Sequence, residues 1–375
     1  MCYFRKWLCL SVTAGMLLLA GCNGVGDREE EEFHYSAVGD GVLILNEGNF
    51  NSGNATLSYY TPSTKTVENE VFFRANDRKL GDVGQSITLY DGKAYICVEN
   101  SHIIWIIDLQ TFKVLGQITA SEDNHIVDPR YILIVNEEKA YVTDLYSPYV
   151  NVFNPKTYKI TGAIPTGAEG FGSDGKKYYS TEEILKYGEY AFTNCWSYDN
   201  KVLVIDTEKD EVVYRIELPS TQPKSMALDK NGKLWVITDG GYEGSPYSDG
   251  NPFLYRIDAK TWKIEQEQEL DTDDSNLKLD LNAAKDTLYI MNNDVYKMPV
   301  DAVHVPVRPF IEAPKDEYGK KHKFYGMNVD PLTSEVYVGD AVDYSQGGWV
   351  YRYSATGQLV HKFSVGLLPN SFYFK

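Results

Sequence analysis

Apolar residues fall into short alternating runs rather than into helical stripes. Between Gln85 and Ile118 the pattern is complete. Gln85-Ser86-Ile87-Thr88-Leu89 leads to the turn Asp91-Gly92-Lys93, then to Ala94-Tyr95-Ile96-Cys97-Val98. After a polar break at Glu99-Asn100-Ser101 come Ile103–Asp108 and Lys113–Ile118. Alternation over five or six residues predicts half-buried strands, and Asp-Gly between two of them is a strong hairpin signal. The same order of strands and turns recurs over Arg130–Pro165, Glu182–Leu218, Lys224–Leu270, Leu277–Ala313 and Lys323–Gly366. Turns opening at Asp108, Asn154, Asp206 and Asp258 are 46, 52 and 52 residues apart. Four strands repeated at that period are the mark of propeller blades.

The first unit is short of a strand. Val42–Glu47, Ala55–Tyr60 and Thr66–Phe72 supply three. The chain end, Pro369-Asn370-Ser371-Phe372-Tyr373-Phe374, has the Pro-x-Ser onset of Pro223-Lys224-Ser225 and supplies the fourth. Joining tail to head leaves no exposed sheet edge. The expectation is an all-β, seven-bladed β-propeller of four-stranded blades over residues 41–375, closed by the C-terminal strand joining blade 1. That gives roughly 48 residues per blade. A pair of β-sandwiches explains the strands too, but neither the period nor the matched ends.

Residues 1–21 read as an address. Arg5 and Lys6 precede an apolar run ending in Leu19-Ala20-Gly21-Cys22, too short and wrongly flanked for a spanning helix. Leu-Ala-Gly-Cys resembles a bacterial lipobox, which makes Cys22 the lipidated first residue of the mature chain. An ordinary signal peptide with an incidental cysteine is the competing reading. Residues 22–40, with Glu29 to Glu32, form an acidic tether. It resembles the export signal that sends Bacteroidota lipoproteins to the outer face of the outer membrane, with the periplasm as the alternative.

Composition narrows the function by exclusion. Lys and Arg total 36 against 53 Asp and Glu, a net charge of −17. Cleavage before Cys22 leaves the chain two charges more negative. Phosphate backbones repel such a chain, so nucleic acid is not expected as a partner. Cys97 and Cys195 alone remain after processing, too few for a disulfide framework. The six histidines form no His-x-His or His-Glu-x-x-His pair, and there is neither a Gly-x-Ser-x-Gly elbow nor a phosphate-binding glycine loop. Asp271-Thr272-Asp273-Asp274 lacks the spacing of a helix-loop-helix calcium site. We therefore expect no enzyme, no metal and no resident cofactor.

Tyrosine is abundant, at 29 residues. In a propeller, loops between second and third strands open on the same face as the inter-blade connections. Those loops hold Asn100, Trp196, Tyr198, Tyr242, Tyr247, Asp340, Tyr344 and Trp349, and the connections add Arg130, Lys224 and Tyr325. Rings among amide and charged groups make apolar walls with hydrogen-bonding rims. The expected ligand site therefore has Trp196, Tyr198, Tyr242, Tyr247, Tyr344 and Trp349 as contact rings and Asn100, Arg130, Lys224 and Asp340 as its polar rim. Rings in long loops also pack on neighbouring blades with their polar tips in water.

Asn46-Glu47-Gly48-Asn49-Phe50, Leu57-Ser58-Tyr59-Tyr60 and the stretch from Asn76 to Ser86 resemble the YncE-like propeller lipoproteins of the Bacteroidota. With the lipobox, the acidic tether and the tail Leu368-Pro369-Asn370-Ser371-Phe372, the chain is similar to the BtuG-type group. That resemblance implies capture of cobalamin and related corrinoids at the cell surface and transfer to a TonB-dependent transporter of BtuB type. Cobalt ligation by His102 or His125 stays open, as do a glycan-binding lipoprotein and a propeller hydrolase or lyase.

Overall fold

A computed structural model describes residues 41–167, 170–171, 177–178, 180–197, 199–241, 250–271 and 276–375. Seven antiparallel sheets stand around a central axis. Their innermost strands are Pro369–Phe374, Gly84–Tyr90, Pro129–Asn136, Thr181–Tyr187, Pro223–Leu228, Lys278–Leu281 and Phe324–Val329, which touch one another in that cyclic order. We number the blades 1 to 7 in the same order. A two-stranded hairpin, Gly170–Phe171 with Lys177–Tyr178, stands apart from the blades.

Burial explains the hydrophobic runs. Second and third strands of a blade are covered on both faces by neighbouring blades, so Lys93–Val98 and Ile103–Asp108 are buried almost throughout. Fourth strands face solvent on one side, and Ile264–Glu269 alternates half-buried with exposed. The turn before each fourth strand explains the period. In blade 2 the Asp108 carboxylate accepts from the Gln110 and Thr111 amides at 2.9 and 2.8 Å, while Phe112 N–H reaches back to the Asp108 carbonyl at 2.8 Å. Asn154, Asp206 and Asp258 open equivalent turns before their fourth strands, and Asp330 opens one of the same form after the first strand of blade 7, each with a backbone i+4 to i bond. An Asx cap with one left-handed residue turns the chain in five positions.

The tail closes the ring. Pro369–Phe374 pairs antiparallel with Val42–Asn46, with Leu43 opposite Tyr373 and Ile44 opposite Phe372. Two elements depart from expectation. The outer strand of blade 1 stops at Glu68, and Val71–Asn76 forms a helix where a strand to Phe72 was expected. Glu70 enters it at φ 57, and the helix buries Val71 and Phe72 against blade 1. In blade 6, Lys278–Leu281, Thr287–Asn292 and Asp294–Pro299 form three strands, and a single bridge from Val295 to Ile311 holds the fourth position. Pro306 and Pro309 lie in the segment leading there and lack the N–H a ladder needs.

Candidate functional site

The tops of the innermost strands are built differently from the rest of the blades. In blade 2, Gly84 faces Val98 and Ser86 faces Cys97, so Gln85 is an extra residue with no partner in the register. Lys224, Tyr325 and Asn370 occupy the same single-residue bulge in blades 5, 7 and 1. In blades 3 and 4 the pairs Arg130-Tyr131 and Glu182-Glu183 each oppose one residue. A bulge breaks the in-and-out alternation and re-aims a side chain. Here it delivers Gln85, Arg130, Glu182, Lys224, Tyr325 and Asn370 to one central well, joined by Lys278 from blade 6.

A second tier comes from the residue after each second strand. Its backbone N–H bonds to the chain just before the bulge: Glu47 to Leu368, Glu99 to Val83, Leu145 to Asp128 and Trp196 to Ser180, at 2.9–3.0 Å. All four line the well, whose volume is about 420 Å³. Phe50 and Tyr146 stand at its mouth, 65% and 43% exposed.

Arg130 organises one side. Its Nε and Nη2 donate to the two carboxylate oxygens of Glu182, at 2.6 and 2.9 Å, and its Nη1 donates to Glu99. Gln85 Nε2 adds a bond to Glu182 at 3.1 Å. All four side chains are buried, and a guanidinium with two carboxylates on its fork stays charged there. Glu47 is different. Burial pushes it up to about 7, against the pull of the Tyr325 hydroxyl that bonds to it and of Arg130. It is a carboxyl poised to carry a proton near neutrality. Beneath, burial likewise takes Glu183 up to about 7, against the nearby Lys278 and the Met226 amide.

On the other side Trp196 is flanked by cations. Lys224 Nζ lies 4.2 Å from its ring centroid and the Arg130 guanidinium carbon 5.7 Å. Burial lowers the Lys224 pKa, with Lys278 and Arg130 adding to the effect and Asp239 opposing it. An electron-rich ring face partly offsets the cost of an ammonium held out of water.

Of the residues expected at the site, Trp196, Arg130 and Lys224 meet in the well. Tyr344 lies outside its lining, edge-on to Tyr325 at 5.8 Å. Asp340 is fully buried and receives Val342 N–H at 2.9 Å, with His322 Nδ1 at 2.6 Å. Asn100 donates to Asn51 and Asp82, and the Trp349 ring lies under Lys362 Nζ at 4.4 Å; neither lines the well. His102 and His125 do not line it either, the latter stacking on Tyr149 at 4.0 Å. Tyr198, Tyr242, Tyr247, residues 272–274 and Cys22 lie outside the described residues. Sequence reasoning passed over Glu47, Gln85, Glu99, Glu182, Lys278 and Asn370. Their signal was position, counted from strand ends. Among the described residues no three His, Cys, Asp or Glu side chains gather as metal ligands, and both Cys97 and Cys195 are buried and unpaired.

No curated protein matches the sequence. Among solved structures the chain is similar to a quinonprotein alcohol dehydrogenase-like protein from Bacteroides thetaiotaomicron, at 15% identity over 91% of this chain and 79% of that one, with a TM-score of 0.66. A functionally unknown protein from Desulfotomaculum acetoxidans is similar at 10% identity over 90% and 99%, with a TM-score of 0.62. Hydrazine synthase from Kuenenia stuttgartiensis is similar at 18% identity over 77% and 88%, with a TM-score of 0.60. Identities this low carry the fold and no chemistry. The family model described as a domain of unknown function, DUF5074, matches residues 40–375, and the chain belongs to that family.

Proposed function

We propose that this protein is an outer-membrane surface lipoprotein, anchored through Cys22, that captures cobalamin and related corrinoids and passes them to a TonB-dependent transporter. The observation that carries the reading is the well itself. An aromatic wall, Trp196, stands beside amides, carboxylates and cations at the axis, and Phe50 and Tyr146 flare at the mouth. A corrinoid is a rigid ring with peripheral amides. It is larger than the 420 Å³ well, so one end enters and the ring lies across the exposed aromatics. The donors and acceptors sit on strand bulges rather than on free loops, so binding orders little chain and affinity gains accordingly. The lipobox and tether support the location, and the family resemblance supports the ligand. Titration calorimetry with cyanocobalamin tests the reading. Saturable binding below micromolar supports it, and no heat at micromolar ligand removes it; a glycan array then takes up the glycan-binding alternative.

A second reading rests on Glu47. A carboxyl held near 7 beside a tyrosine hydroxyl has the makings of a general acid or base, as a hydrolase or lyase would use. Turnover of a screened substrate that Glu47→Gln abolishes, in a chain that ignores corrinoids, would favour it.

A further inference from the structure

The two cations on the blade 5–6 side of the well are treated differently from Arg130. Arg130 spends its fork on Glu99 and Glu182. Lys224 makes no hydrogen bond or ion pair among the described residues; the Trp196 ring lies against its ammonium, and Asp239 and Glu182 favour its charge only from a distance. Lys278 has a loose contact, 3.9 Å from Glu183, whose carboxyl is itself held up to about 7 by burial. The strands carrying the two lysines are neighbours around the ring, and both side chains line the well. Repulsion from Lys278 is among the effects that lower the Lys224 pKa. Two ammonium groups lining the same well, one with no carboxylate in ion-pair contact, are a cost that a bound anion relieves. Gln222 and Asn276 also line the well, each with an amide side chain.

We propose that Lys224 and Lys278 form an oxyanion subsite in the well that receives a phosphate group of the bound ligand, with Gln222 and Asn276 supplying further donors. A phosphodiester presents two charged oxygens in a tetrahedral arrangement, open to donors approaching from two blades, and charge-assisted bonds to ammonium groups are the strong ones. Trp196 floors the subsite and reports on it. This inference rests on the capture reading for the identity of the ligand, in which the phosphate is the phosphodiester of the cobalamin nucleotide loop.

Two arms test it. In the first, inorganic phosphate is titrated at constant ionic strength while tryptophan fluorescence is followed, with Trp196→Phe identifying the reporter. A saturable change in the millimolar range is expected, kept in Lys224→Arg and lost in Lys224→Met and Lys278→Met, each shown to be folded by its thermal melt. No saturable change, or the same change in both Met variants, overturns the subsite. In the second arm, cyanocobalamin is compared with dicyanocobinamide, which lacks the phosphodiester. The expected preference for cyanocobalamin is about ten- to a hundredfold, the size of a charge-assisted contact, and Lys224→Met erases it. Equal binding of both by the wild-type protein overturns the subsite and leaves corrinoid capture standing. Binding of neither removes corrinoid capture, and the phosphate arm then decides the subsite alone.

Discussion

Arg130 and Glu182 meet as a two-pronged pair, Nε to Oε2 at 2.6 Å and Nη2 to Oε1 at 2.9 Å, between the bulges of adjacent blades. Both side chains are buried, 8% and 7% exposed, so solvent cannot stand in for a missing partner. Glu182→Ala is expected to destabilise the fold by about 3–5 kcal/mol, because it leaves a guanidinium with Glu99 as its main counter-charge. Removing both charges in Arg130→Met/Glu182→Leu costs less than the two single changes summed. Urea unfolding of the four proteins in the cycle measures the coupling, and simple additivity would show the pair to be independent.

Ring closure depends on two glycines. A Cβ on Gly326 would sit 1.9 Å from the Asn370 carbonyl oxygen, and one on Gly339 would sit 2.1 Å from that of Pro369. Both obstacles are backbone of the closing strand and cannot swing aside. Gly326→Ala and Gly339→Ala are each expected to lower stability by about 2–4 kcal/mol, read as a drop in melting temperature. Gly53→Ala is the control. It has open space around its Cβ, so only the strain of its φ of 56 applies, and the loss is about 1 kcal/mol.

The contrast between fold and site shows what alternation along a chain can and cannot reveal. Strand runs, Asp turns and the matched Pro-x-Ser at Pro223 and Pro369 gave the ring and its closure, because they are local and periodic. The helix at Val71–Asn76 escaped because Val71 and Phe72 suit a buried strand equally well. At the site, aromatic loop residues are the conspicuous feature of the sequence, yet the well is built chiefly by bulges. Glu99 was passed over for its neighbour Asn100, although the second-strand end places Glu99 inward. Glu182, Gln85 and Asn370 looked like ordinary strand-onset residues, since nothing in one unit alone marks a bulge. Aligning the onsets Gly-Gln-Ser-Ile, Pro-Lys-Ser-Met and Pro-Asn-Ser-Phe shows the polar second position repeating, and that column is the well.

Stability should fall as pH rises from about 5 to 8. Burial lifts Glu47 and Glu183 to about 7 and Asp144 to about 6, so between the unfolded carboxylate pKa and those values the folded state holds more protons. The unfolding free energy therefore declines with pH across that window. Carboxylates held low, such as Asp108 and Asp206, act only at more acid pH and do not oppose the trend. Each raised group contributes up to about 3 kcal/mol at one unit per 1.36 kcal/mol. Chemical unfolding at pH 5 and pH 8 should show the difference, reduced in Glu183→Gln; a flat profile would mean these carboxyls titrate normally in the folded chain.

Trp196 and Trp349 separate the well from the rest of the loop face. Trp196 lines the cavity, with Lys224 against its ring at 4.2 Å, while the Trp349 ring lies under Lys362 and does not line it. Trp196→Ala removes the aromatic wall and the support for the Lys224 charge together. Cyanocobalamin affinity is expected to fall by about ten- to a hundredfold, the range for a buried aromatic anchor. Trp349→Ala is expected to stay within about twofold, as an exposed surface ring does. Calorimetry on the two variants beside the wild-type protein decides the matter. Equal losses would place the ligand across the outer loop face, and a loss confined to Trp349→Ala would move it off the axis altogether.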